Sequence, residues 1–115
     1  MSGIKADGIL VKQYGESLLY GVSFAALLDA SETLTGTPAV VEQTTSDLTI
    51  SAVAVNTATF LDANGDTVAI GEGVQFRVGA DGDNSNSGNS YWLDVQSGTS
   101  DSNTREVDVK LRIEG

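Results

Sequence analysis

The sequence predicts an all-β chain folded as an antiparallel β-sandwich of about seven or eight strands. Three observations predict it. The run 105–113 (REVDVKLRI) alternates strictly, with Val107, Val109, Leu111 and Ile113 on one side and Glu106, Asp108, Lys110 and Arg112 on the other. A pleated strand sends successive side chains to opposite faces, so this strand has one face on a core and one in water. The strand-like runs 73–79 (GVQFRVG), 91–96 (YWLDVQ) and 105–113 follow one another, separated by stretches of Gly, Ser and Asn. Finally, no long stretch keeps a helical period, while turn signals recur along the whole chain.

The elements follow in order. Residues 9–14 read as a first short strand, broken at Gly15. The run 17–24 (SLLYGVSF) reads as a second, with Leu18, Tyr20, Val22 and Phe24 sharing one face. Residues 25–28 (AALL) fit a single helical turn, and 29–33 (DASET) a polar connection. Residues 34–43 form a candidate strand interrupted by Gly36 and Pro38. Proline offers no backbone donor, so this is an edge strand or one that begins after the proline. In 48–55, Leu48 and Ile50 are out of phase with Val53 and Val55, which a β-bulge near Ser51 reconciles. Residues 62–66 (DANGD) are a turn signal, because Asn-Gly readily supplies positive φ. Residues 67–70 are then a short strand before the break at 71–73. The predicted core contains Phe24, Phe76, Val78, Val107, Val109, Leu111 and Ile113. The domain spans 15–115, preceded by an N-terminal arm and the first short strand at 1–14; within the arm, residues 1–8 lack strong core side chains.

Composition narrows the function. With 115 residues, 40% of them hydrophobic, the chain makes one domain with a modest core and is not compositionally disordered. It has no cysteine, hence no disulfide and no thiolate metal site. The formal net charge of −10 repels phosphate backbones and anionic membranes, so neither nucleic acid nor membrane is an expected partner. No apolar run is long enough to span a bilayer, and no hydrophobic stretch of a secretory signal follows the N-terminus. The acidity reads first as solubility and second as complementarity to a basic partner.

Catalytic equipment is sparse. Histidine is absent, which removes the commonest general base and every Ser-His-Asp or Cys-His arrangement. Carboxylates remain, but they fall in turns and on predicted solvent faces, where their pKa values should stay near the reference. The acidic loop 80–90 (ADGDNSNSGNS) offers Asp81, Asp83 and Asn84 as oxygen donors for calcium. Its spacing fails the EF-hand pattern: counting from Asp81, position six is Asn86 and position twelve is Trp92, where a bidentate Glu belongs. In the turn at Asp62, Asn64 and Asp66, Gly65 is misplaced for a calcium loop. No metal or other cofactor is therefore expected, and the loop 80–90 is expected to be a mobile connection without tight calcium binding. Tyr91 and Trp92 are adjacent on a strand and face opposite sides; a buried sandwich tryptophan is the commoner case, and the outward ring would serve a sugar platform or a protein interface. Pro38, Val40, Val41, Asp81, Asp83, Asn84, Tyr91 and Trp92 are the candidate interface residues.

Three pieces of the chain together resemble the bacteriophage fibre–tail adaptor family of small virion proteins. The first is 17–24 (SLLYGVSF), followed by Leu28 and 31–34 (SETL). The second is 66–68 (DTV) with 71–79 (GEGVQFRVG), close to a family strand of the form G-x-x-V-x-F-x-V-x-G. The third is 91–113, a hairpin whose alternating strand closes the domain. The resemblance runs from about Gly15 onward; the loop 79–90 is longer and more acidic than the family's Gly-Gly turn. It implies an immunoglobulin-like β-sandwich and a structural, non-enzymatic role in the virion, assembled in the host cytoplasm, attaching receptor-binding fibres to the tail. The implied partners are other virion proteins and further copies of the chain, and the resemblance implies no catalytic residues. The alternatives are a capsid decoration or cement protein, or a carbohydrate-binding module resting on Tyr91, Trp92 and the acidic loops. A minimal hydrolase has little support without His or Cys.

Overall fold

The computed structural model describes residues 4–13, 16–43, 48–79 and 90–114. They form nine strands: β1 (Ile4–Gln13), β2 (Leu18–Ser23), β3 (Leu34–Glu42), β4 (Ile50–Val55), β5 (Phe60–Leu61), β6 (Thr67–Val68), β7 (Gly73–Val78), β8 (Ser90–Thr99) and β9 (Thr104–Glu114). A single 3-10 turn at Ala25–Leu27 is the only helical element among the described residues. The strands make a four-stranded sheet in the order β1-β9-β8-β3, a three-stranded sheet in the order β2-β7-β4, and the small hairpin β5-β6. The expected count of seven or eight is exceeded because β5 and β6, two residues each, pair with one another as a separate unit.

The hairpin β8–β9 is the spine of the larger sheet. It runs in unbroken register from Gly98 opposite Thr104 to Ser90 opposite Arg112. Its turn is fixed by Thr99, whose hydroxyl accepts the N–H groups of Asp101 and Asn103, with Ser102 at φ 66. The inner side of β9 is as the alternation predicts: Val107, Val109, Leu111 and Ile113 are buried, facing Tyr91, Leu93 and Val95 of β8. Val22, Phe24, Val74, Phe76 and Val78 of the smaller sheet join them in one cluster, so the two sheets share a single core. Every predicted core residue belongs to it.

One pairing departs from the expected antiparallel arrangement. β1 lies parallel to β9, with Leu10 beside Leu111 and Lys12 beside Ile113. It begins at Ile4 and not at Ile9, so residues 4–8, expected in an arm, extend the strand. Alternation sends Leu10 and Lys12 inward; Lys12 is fully buried and its Nζ donates to the Gln13 carbonyl at 3.1 Å. Tyr20 of β2 ties the sheets together at this flank: its ring lies 6.2 Å from that of Phe76, and its hydroxyl donates to the Val11 carbonyl of β1 at 2.9 Å.

The irregular strands bend where the sequence says they must. β4 carries a register shift between Ser51 and Ala54, with Ala52 at φ 54. That bulge lets Leu48, Ile50, Val53 and Val55 all pack against the core. β3 occupies the edge of its sheet and shifts register between Thr35 and Ala39, where Gly36 takes φ 74. The turn 62–66 closes with Gly65 at φ 83 and the Asp62 carboxylate accepting the N–H groups of Asn64 and Asp66.

Two glycines serve close approach. On the outer side of the smaller sheet the Phe60 ring lies over Gly21 and Gly73; an added Cβ would fall 2.2 Å from its Cε2 at Gly21 and 2.7 Å from its Cε1 at Gly73. Beside this ring Asn56, almost fully buried, holds the segment 56–73 together. Its Nδ2 donates to the Ala58 and Ala69 carbonyls, both at 2.9 Å. Its Oδ1 accepts from the N–H groups of Gly71 at 3.1 Å and Gly73 at 3.0 Å.

Candidate functional site: the outer face of the four-stranded sheet

The side of the larger sheet turned away from the core collects most of the chain's chemistry. The β8–β9 register sets Trp92 opposite Lys110, Asp94 opposite Asp108 and Gln96 opposite Glu106, all on this face. β3 adds Val41, in register with Asp94, and β1 adds Ile9 and Val11. Ile9, Val11 and Val41 are exposed, Val41 most of all at 57%. This is a mixed apolar and acidic surface flanked by edge strands.

The predicted interface residues divide. Trp92 points outward and is half-buried, whereas Tyr91 enters the core beside Leu111. The sequence leaves open which of the two rings is outside, and the hairpin register decides it by putting Tyr91, and not Trp92, in phase with Leu93 and Val95, against the commoner case of a buried sandwich tryptophan. Val41 is outward as an interface residue should be. Pro38 is buried and Val40 packs against the core, so neither offers its side chain to a partner. Positions 34, 38 and 40 of β3 face inward and 39 and 41 outward, the register shift between Thr35 and Ala39 leaving the phase unchanged. Asp81, Asp83 and Asn84, with the loop assigned to mobility and to weak calcium binding, lie outside the described residues.

Alternation places Asp108 in water, and the structure corrects that. Asp108 is fully buried, and neither carboxylate oxygen has a hydrogen-bond donor among the described residues. Lys5 of β1 is in register with Asp108, and among the described side chains the polar groups beside it are the carboxylates of Asp94 and Glu106, acceptors themselves; one oxygen from each of the three lies within 4.8 Å of the others. Burial first, then the nearness of Asp94 and Glu106, pushes Asp108 up to about 6. Two glutamine amides brace the outer members: Gln43 Nε2 donates to Asp94 Oδ1, and Gln96 Nε2 to Glu106 Oε1 at 2.5 Å. Like charges directly opposite on neighbouring strands are destabilising, so this arrangement costs stability when all three groups are ionised.

A second acidic group at the sheet's end has the opposite character. Glu32, from the loop before β3, is buried but fully served. It accepts from the Thr99 hydroxyl at 2.5 Å, the Asp29 N–H at 2.9 Å, Asn103 Nδ2 at 2.9 Å and Arg105 at 3.4 Å. The Thr99 bond above all, then those from Asp29 and Asn103, brings its pKa down to about 2 from 4.5. A lowered carboxylate pKa stabilises the fold above the unfolded value, and that contribution is lost as pH falls through the folded one. Unfolding midpoints measured across this range should therefore drop between pH 4.5 and about 2, and Glu32→Gln should lower stability at neutral pH while flattening that acid limb. An unchanged acid limb in Glu32→Gln would contradict the assignment.

On the opposite flank, between β1 and β2, lies a cavity of about 450 Å³. Leu10, Val22, Val107 and Val109 line it together with the 62–66 turn. The Asp62 carboxylate in that turn is already engaged by backbone N–H groups. No helix of the described residues is long and apolar enough to cross a membrane.

No protein-family model, curated protein or solved structure matches the chain.

Proposed function

We propose that the protein is a non-enzymatic structural component of a bacteriophage virion, an adaptor between the tail and receptor-binding fibres, built as an immunoglobulin-like β-sandwich. The observation that carries this reading is the face of the four-stranded sheet. It presents Val41, Ile9, Val11 and the half-buried Trp92 beside acidic groups, and it is bounded by the open edges of β1 and β3. Unpaired strand edges next to an apolar face suit docking to another protein chain. The acidic balance favours a basic or apolar partner surface over bare self-association, so copies of the chain assemble around a tail component and not through their acidic faces. The three segments that resemble the adaptor family coincide with β2 and the loop after it, with β6 and β7, and with the β8–β9 hairpin. They therefore supply most of the shared core. The reading includes localisation in the virion, other virion proteins as partners, and neither nucleic acid nor membrane.

The test is mass spectrometry and imaging of purified particles from the source of this chain. The expected result is the protein at the tail–fibre junction in a ring of copies. Density on the capsid surface would make it a decoration protein. Absence from particles, with tight polysaccharide binding by the purified chain, would replace the adaptor reading by a carbohydrate-binding one centred on Trp92.

A further inference from the structure

We propose that Asp94, Glu106 and Asp108 form a binding site for a hard divalent cation, calcium by preference, on the outer face of the four-stranded sheet. The site is distinct from the acidic turns that the sequence brings to notice.

Among the described residues, Asp108 lacks the hydrogen-bond donors that a buried carboxylate needs. A carboxylate taken out of water needs donors or a counter-charge, and this one is fully buried with both oxygens lacking a donor among the described residues. Its neighbours aggravate the deficit. Asp94 is its direct cross-strand partner, and Glu106 stands two residues before it on the same face. A divalent cation offsets two of the three negative charges that these carboxylates carry when ionised.

The geometry suits such an ion. With three oxygens within 4.8 Å of one another, a small side-chain adjustment brings all of them to the about 2.3–2.6 Å that calcium takes. The donors are all oxygen, which selects calcium, magnesium or manganese over softer metals. Calcium is preferred because it accepts irregular carboxylate sets, completing six to eight ligands with water, whereas magnesium demands a near-ideal octahedron. The amides of Gln43 and Gln96 hold two of the three carboxylates from outside, the role that outer partners play at metal sites. The ligands come from two strands, and Gln43 follows a third, so a bound ion fastens β8 to β9 and braces the end of β3.

The other triad of acids, Asp29, Glu32 and Asp101, is a poorer candidate. The buried member Glu32 already accepts hydrogen bonds at both oxygens, so it has no deficit for a cation to fill.

The chain carries its own probe. Trp92 is the single tryptophan, and it lies two residues from Asp94 on the same face, about 7 Å along the strand. Terbium occupies calcium sites and luminesces when a nearby indole is excited. The full chain, stripped with chelator, should show saturable terbium emission on excitation at the red edge of the tryptophan band, reversed by added calcium. Calorimetry should give one calcium per chain, and calcium should raise the unfolding temperature. Trp92→Phe should abolish the emission while leaving the calcium heat intact. Gln96→Ala should weaken calcium binding about tenfold, and Asp108→Asn by about a hundredfold or more. Because Asp108→Asn removes a buried charge, the variant should stay folded in chelator with a midpoint no lower than that of the parent chain. Asp81→Asn with Asp83→Asn should bind calcium as the parent does. Absence of saturable binding up to millimolar calcium would overturn the proposal. So would binding that survives Asp108→Asn, or that is lost in the Asp81/Asp83 variant.

Discussion

Replacing Leu111 by alanine should destabilise the protein by about 2–5 kcal/mol. Leu111 is fully buried in the second half of β9, flanked by Leu10 of β1 and Tyr91 of β8. It therefore packs in the middle of the larger sheet, beneath the smaller sheet's side of the same core. The cost has two parts: the lost transfer of four buried carbons' worth of side chain down to one, and a cavity that rigid neighbours fill only in part. Strand neighbours on both sides keep the backbone from collapsing inward, which argues for the upper half of the range. Urea denaturation measures it. A midpoint unchanged from the parent would show that this side of β9 does not face the core.

Asn56→Ala should be nearly as damaging, at about 2–4 kcal/mol, although it removes no hydrophobic surface. All four hydrogen-bonding positions of the Asn56 amide are engaged with main-chain groups of Ala58, Ala69, Gly71 and Gly73. Truncation takes the Asn56 acceptor from the buried Gly73 N–H and a donor from the Ala58 carbonyl, and a buried group left without a partner costs about 1–3 kcal/mol, whereas the Ala69 carbonyl still accepts from the Glu72 N–H. Gly71 N–H is partly spared because it also donates to the Asn56 carbonyl at 3.2 Å. The β5–β6 hairpin should loosen with it, since Phe60 is seated on Gly73. Amide hydrogen exchange in 56–73 should accelerate more than in β8 and β9. Equal acceleration in both regions would point to global destabilisation instead of a local clamp.

How far the sequence foretold these features depends on whether the deciding physics is local. The face of β9, the phase change in β4 and the turn at Gly65 are local consequences of pleat and φ, and they are where the alternation and the Asn-Gly pair put them. The edge position of β3 follows from Pro38 in the same way. Trp92 against Tyr91 is a question of parity across a hairpin, and parity is set by a turn whose length composition does not specify. Asp108 is buried against its alternation because period two identifies the side of a strand and not what lies over that side. β1 pairs alongside β9 there, and that pairing joins segments from opposite ends of the chain. Glu32 looked like one more polar loop residue; its burial needs Thr99, Asn103 and Arg105, all distant in sequence. The candidate cation site was invisible for the same reason: two of its acids are separated by a single residue, but the third comes from another strand.

The parallel pairing of β1 with β9 also governs how the molecule comes into being. Synthesis runs from the N-terminus, so β1 is made before every other described strand and its sheet partner after all of them. Until β9 emerges, Leu10 and Lys12 lack the strand beside which they are buried, and β8 lacks the strand that separates it from β1. The smaller sheet is different, because β2, β7 and β4 are complete well before the C-terminal hairpin. Closing the longest loop in the chain is thus left to the final step, the kind of step that slows folding most. During that interval an early strand with an apolar side stands open to other chains, and crowded ribosomes on one message bring such strands together.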